Sequence, residues 1–95
     1  MQLQIITPEQ VIFDGEIDAI TLPGKDGEFQ ILNNHAPIVA TLGEGTIKIA
    51  VQDAKAFENN SGKVYTSPSH AKTVLFDIKG GTIELSNNKV IVLAS

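Results

Sequence analysis

The sequence predicts an all-β fold, an antiparallel sandwich or barrel. Three observations predict it. Apolar residues recur with a period of two, so that one face of each run is apolar and the other polar. Glycine and asparagine turn signals break these runs at short, regular spacing. Helical spacing is scarce, with no heptad and no internal repeat.

The alternation is cleanest in three places. In residues 46–52, Ile47, Ile49 and Val51 alternate with Thr46, Lys48 and Ala50; in residues 72–79, Val74, Phe76 and Ile78 alternate with Thr73, Leu75 and Asp77. In residues 82–86, Ile83 and Leu85 alternate with Thr82 and Glu84. Residues 3–7, 11–13, 17–22, 28–32 and 89–94 read as further strands. Residues 90–93 are apolar on both faces, which calls for cover on both sides, by core or by a partner.

Turns are expected at Asp14-Gly15, Pro23-Gly24, Asp26-Gly27, Asn33-Asn34, Gly43 with Gly45, residues 59–62, Gly80-Gly81 and Asn87-Asn88. Glycine and asparagine tolerate the positive φ that tight hairpins need. Gly80-Gly81 lies between two strands and marks a bulge or a close backbone approach. A helix over residues 46–56 has Ile47, Ala50, Val51 and Ala54 at helical spacing, but strict alternation of β-branched residues ranks it below a strand. A short turn over residues 36–41 fits Pro37 in a first turn. Residues 53–71 are the least regular stretch and read as an extended hairpin loop, with a small strand pair at 55–58 and 63–66.

The chain has 95 residues, enough for one domain of modest core. Its 42% hydrophobic and 19% charged content is that of an ordinary folded protein. Without cysteine there is no disulfide, thiolate metal site or cysteine nucleophile. The first eight residues lack the basic and apolar regions of a signal peptide, and no stretch approaches the ~20 apolar residues of a membrane span. No direct membrane insertion is therefore expected. The net charge is −4 and every cation is lysine, so no bidentate guanidinium fork is present to grip phosphate. An acidic chain of this kind is a poor nucleic-acid binder. Seven of the carboxylates fall in residues 1–50, against Lys25 and Lys48. They are read as solvated acidic turns, with a basic partner surface as the other reading.

No pattern carries catalysis. Asp14 with Glu16, and Asp26 with Glu28, flank turn glycines rather than face each other across a cleft. His35 and His70 lack the second histidine at short spacing that a metal site wants, and neither stands in a recognisable triad. Residues 23–28 hold two glycines and a lysine, but neither P-loop spacing nor a following helix. No cofactor or metal is expected. His35, in Asn33-Asn34-His35-Ala36-Pro37, has two readings: a turn histidine bonded to backbone, or a polar interface contact. By elimination the chain is a binding or structural module.

The residues then carry a resemblance. Ile5-Ile6-Thr7-Pro8-Glu9, Phe13-Asp14-Gly15-Glu16, Leu22-Pro23-Gly24-Lys25-Asp26-Gly27-Glu28-Phe29 and Ile31-Leu32-Asn33-Asn34-His35-Ala36-Pro37 follow one another as in the epsilon subunit family of rotary ATP synthases. Leu42, Gly45-Thr46-Ile47-Lys48-Ile49, Ile78-Lys79-Gly80-Gly81-Thr82-Ile83-Glu84-Leu85 and Asn88-Lys89-Val90-Ile91-Val92-Leu93-Ala94 continue it. Residues 23–37 are the most specific segment.

The resemblance implies a flattened antiparallel β-sandwich of about ten short strands over residues 1–95. It implies a non-catalytic subunit at the foot of the rotor, on the cytoplasmic face of the bacterial inner membrane, that links the gamma subunit to the c-ring. By motif position, His35, Ala36, Pro37 and Val39 resemble part of the gamma-facing region. Glu28, Asn33 and Asn34 resemble the loops that meet the c-ring. Many members of the family continue into a two-helix domain that binds ATP or inhibits hydrolysis; the sequence stops at Ala94-Ser95, so the expectation is of the short form. Residues 53–71 are longer than the usual hairpin there. Two other readings compete: a free-standing β-sandwich that binds carbohydrate or peptide on an exposed aromatic platform, and a small hydrolase in which Glu28 and His35 converge.

Overall fold

The computed structural model describes residues 1–52, 65–66 and 72–95. Among these residues ten strands follow in chain order: β1 (Gln2–Ile6), β2 (Val11–Glu16), β3 (Ala19–Gly24), β4 (Gly27–Leu32), β5 (Ile38–Leu42), β6 (Gly45–Ala50), β7 (Tyr65–Thr66), β8 (Thr73–Ile78), β9 (Gly81–Ser86) and β10 (Lys89–Ala94). No helix occurs among the described residues. All ten strands belong to one hydrogen-bonded sheet, in the order β2-β1-β10-β9-β5-β3-β6-β8-β7, with β4 on the other side of β3. The sheet curls over a single apolar core and so forms the expected sandwich.

One pairing departs from the antiparallel expectation. β1 and β10 run parallel, Leu3 opposite Val90 and Ile5 opposite Val92. The curl follows from β3. Its first half pairs β6 (Ile20 with Ile49), and its last residue, Gly24, pairs Leu42 of β5. Pro23, which has no N–H to give a ladder, sits at this change of partner; its carbonyl still accepts the Gly43 N–H at 2.8 Å.

The core is the inward half of each alternation. Leu3, Ile5, Ile20, Leu22, Ile31, Ile47, Ile49, Ile83, Leu85, Val90 and Val92 are all buried. β2 breaks the rule of two: Ile12 and Phe13 are both fully buried. The register explains it, since Ile5 pairs Phe13 and Ile6 pairs Val11, leaving Ile12 as the extra residue of a β-bulge. Among the described residues no polar or charged side chain is buried.

Several expected turns move. Asp14-Gly15 lies inside β2, opposite Gln4 and Leu3, because pairing with β1 outweighs local turn preference. Pro23-Gly24 lies inside β3, and the β3–β4 hairpin turns at Lys25-Asp26. The turn expected over residues 36–41 is overturned: Ile38–Leu42 is β5, recruited by pairing along β9. Residues 46–50 form β6, not a helix. The turn at Asn87-Asn88 stands as expected, with φ of 52° and 59°, the left-handed pair of a type I′ hairpin. Gly81 has φ 153°, and a Cβ there would overlap the Leu93 carbonyl oxygen, so the expected close approach is real. The long hairpin expected over residues 53–71, with its small strand pair, lies outside the described residues except for Tyr65–Thr66, which pairs with β8.

Candidate protein interface

Register decides which side chains leave the sheet outward. Across β2-β1-β10-β9-β5, one outward row reads Val11, Ile6, Leu93, Thr82, Thr41. The next reads Asp14, Gln4, Ile91, Glu84, Val39. Five apolar side chains therefore stand on one outer face. Val11, Leu93 and Val39 are 47%, 52% and 80% exposed, while Ile6 and Ile91 are half-buried. An open hollow of about 340 Å³ adjoins them, lined by Ile6, Thr7, Pro8, Leu93 and Ala94 among others. Val11, Ile6, Leu93 and Ile91 adjoin one another, with Val39 beyond the exposed Glu84, and clustered exposed apolar side chains of this kind mark an interaction surface more often than chance scatter does. Two polar pairs stand beside it: Gln2 Nε2 donates to Asp14 Oδ1 at 2.8 Å, and the Met1 ammonium lies 3.1 Å from Glu16 Oε2.

The opposite outer face is different. Ala19, Thr21, Ala50 and Thr73 are small and floor an open hollow of about 230 Å³, flanked by Gln30 and Lys48. Glu28, on the same side, lies 3.5 Å from the Lys48 Nζ. Both members are more than half exposed, so the pair contributes at most about 1 kcal/mol.

The residues singled out from the sequence fall into three places. Asn33, Asn34, His35, Ala36 and Pro37 are consecutive and exposed in the connection from β4 to β5. His35 turns on its own backbone: its N–H donates to the Leu32 carbonyl at 3.3 Å, and Nδ1 donates to the Ala36 carbonyl at 2.7 Å. Val39 belongs to the apolar outer face, one strand beyond Glu84 from Ile91. Glu28 stands apart from Asn33 and Asn34, since roughly 13 Å of extended strand separates it from Leu32. Glu28 and His35 therefore do not converge, and the hydrolase reading loses its pair.

Nor does an aromatic platform form among the described residues. Phe13 and Phe76 are buried, Phe29 is half-buried against the core, and Tyr65 stands 43% exposed on β7. Tyr65 instead joins a polar knot: its hydroxyl donates to Asp77 Oδ1 at 3.0 Å, and Thr46 donates to the same oxygen at 2.7 Å. The hydrogen bond to Asp77 raises the Tyr65 pKa above 10.0, with desolvation and the carboxylate's charge adding to it. Among the described residues no group of three or more His, Asp and Glu side chains gathers as round a metal.

Sequence reasoning missed Ile6, Val11 and Leu93 as members of the outer face. The double-sided apolar run at residues 90–93 was the signal for Leu93. Ile6 followed from the alternation of β1, whose Leu3 and Ile5 face inward, and Val11 gave none, because its facing depends on the bulge at Ile12.

Residues 1–60 match the family described as "ATP synthase, Delta/Epsilon chain, beta-sandwich domain". The chain belongs to that family. The ATP synthase epsilon chain of Chlorobium limicola is 35% identical over 92 residues, covering 97% of this chain and 85% of the relative. That of Leptospira interrogans is 31% identical over 93 residues, but there the chain spans only 59% of the relative's length. Among solved structures, a chain of the Tetrahymena thermophila mitochondrial ATP synthase central stalk and c-ring superposes with TM-score 0.68 at 18% identity, over 99% of this chain and 62% of that one. A chain of the Euglena gracilis mitochondrial ATP synthase superposes with TM-score 0.73 at 20% identity, over 97% and 48%. The family's fold is thus shared at identities where only the fold carries over.

Proposed function

We propose that residues 1–95 act as a single non-catalytic domain of an ATP synthase rotor, at the cytoplasmic face of a bacterial inner membrane, that joins the gamma subunit to the c-ring and passes ring rotation to the shaft. The observation that carries this reading is the exposed apolar face of Val11, Ile6, Leu93, Ile91 and Val39 on a chain of the epsilon family. The gamma subunit is its occupant, with His35, Ala36 and Pro37 at the margin. Removing apolar surface from water contributes roughly 25 cal/mol per Å² before association costs are subtracted. The c-ring contact takes Glu28, Asn33 and Asn34. These residues stand at the two ends of β4, so a contact using all three runs along β4, whose second edge has no partner strand among the described residues. The closely packed core between the faces makes the link stiff, because such interiors compress little.

Co-expression with the gamma subunit of the same genome, followed by size-exclusion chromatography, tests the reading. A one-to-one complex that survives salt and is lost in Val39→Asp supports it. Separate elution under all conditions argues against it.

A further inference from the structure

We propose that Asn88, at the tip of the β9–β10 hairpin, is the positioning residue for the 33–37 connection. The proposal rests on the reading that His35, Ala36 and Pro37 of this connection border the gamma contact. The Asn34 N–H donates to the Asn88 side-chain Oδ1 at 2.9 Å, across 54 positions of sequence. Among the described residues the other bonds of that segment are local, such as the one from His35 Nδ1 to the Ala36 carbonyl at 2.7 Å. Its residues are exposed, Pro37 has no N–H, and the short-range bond from His35 to Leu32 is long at 3.3 Å. Asn34 is itself left-handed, with φ 63°, a conformation that asparagine adopts more readily than other non-glycine residues.

Asn88 is well placed to fix it. Its φ of 59° is set by the hairpin, and its carbonyl accepts the Gln2 N–H at 3.1 Å, which ties the turn to β1. The hairpin tip is therefore a rigid post with one acceptor aimed at the connection. Asparagine suits both tasks, because it tolerates left-handed backbone and carries an oxygen short enough to reach a neighbouring amide.

The two tasks separate by substitution in the full chain. Asn88→Gly keeps the left-handed turn, since asparagine followed by glycine is a favoured type I′ pair, and removes only the oxygen. Asn88→Asp keeps both. Amide hydrogen exchange of Asn34, followed by NMR, reads the positioning; calorimetric titration with the gamma subunit reads its use. The expected result is that Asn88→Gly leaves the strand amides protected, speeds Asn34 exchange by about fivefold, the scale of one hydrogen bond, and weakens gamma binding by a similar factor. Asn88→Asp restores both. Unchanged Asn34 exchange in Asn88→Gly, or no rescue by aspartate, overturns the proposal. Faster exchange with unaltered gamma affinity also overturns it, by removing His35, Ala36 and Pro37 from the contact. Where the unaltered chain binds no gamma subunit, the functional reading fails, and the exchange result still decides whether Asn88 holds Asn34.

Discussion

Gly81 lies against the carbonyl of Leu93: a Cβ on its backbone would overlap that oxygen and come within 3.0 Å of the Ala94 Cα. The obstruction is backbone from the paired strand β10, so no side-chain rotation relieves it. The φ of 153° adds strain for any other residue. Gly81→Ala is expected to destabilise the fold by more than about 2 kcal/mol. Urea denaturation measures it, and a loss below about 0.5 kcal/mol would show that the β9–β10 pair opens easily here.

Tyr65 gives a pH prediction. Its neutral hydroxyl donates to Asp77, and the phenolate would face that carboxylate's charge. A pKa raised in the folded chain means stability that is complete below the unfolded value near 10 and is lost as pH rises through the folded value. The sequence has one tyrosine, so near-ultraviolet absorbance follows it alone. Its midpoint should lie above 10.0 and fall in Asp77→Asn. A midpoint unmoved by that change would remove Asp77 as the cause.

Neighbouring residues on β6 should respond oppositely. Ile49 is fully buried, and Ile49→Ala should cost about 2–5 kcal/mol through lost burial and the cavity left behind. Lys48 points outward to an exposed partner, so Lys48→Ala should cost at most about 1 kcal/mol. Paired thermal melts compare the two. Equal losses would mean that β6 does not alternate as its register says.

Leu93→Lys separates folding from association. The side chain is 52% exposed, so the melting temperature should hardly move, with a stability change within about 0.5 kcal/mol. Binding to the gamma subunit should fall at least tenfold, read by calorimetry, because a charge must then be desolvated on the apolar face. Retained affinity would place the contact elsewhere.

The strands were legible because their chemistry is local: Ile47, Ile49, Val74, Ile83 and Leu85 announce an inward face by alternation alone. The Asn87-Asn88 turn was legible for the same reason, since its residues accept left-handed backbone by themselves. What escaped depends on partners distant in sequence. Asp14-Gly15 is a turn signal that β1 holds straight, and β5 is a strand because β9 lies beside it. The outer face was half visible, in the doubly apolar run at residues 90–93. Val11 waited on a bulge at Ile12 that no sequence spacing reveals. The motif residues were easy to find but not to group, and only the length of β4 shows that Glu28 and Asn33 stand apart.

The parallel seam between β1 and β10 also bears on how the chain is made. Synthesis delivers β1 and β2 well before β10, yet β10 is the strand that sits between β1 and β9. Until it emerges from the ribosome, β1 and β2 have nothing to join, and the apolar faces of Leu3, Ile5 and Phe13 stay open. The nascent polypeptide thus carries an incomplete sheet until β10 is made and closes it in one long-range step, the slow kind of pairing that leaves unfinished chains in need of chaperones.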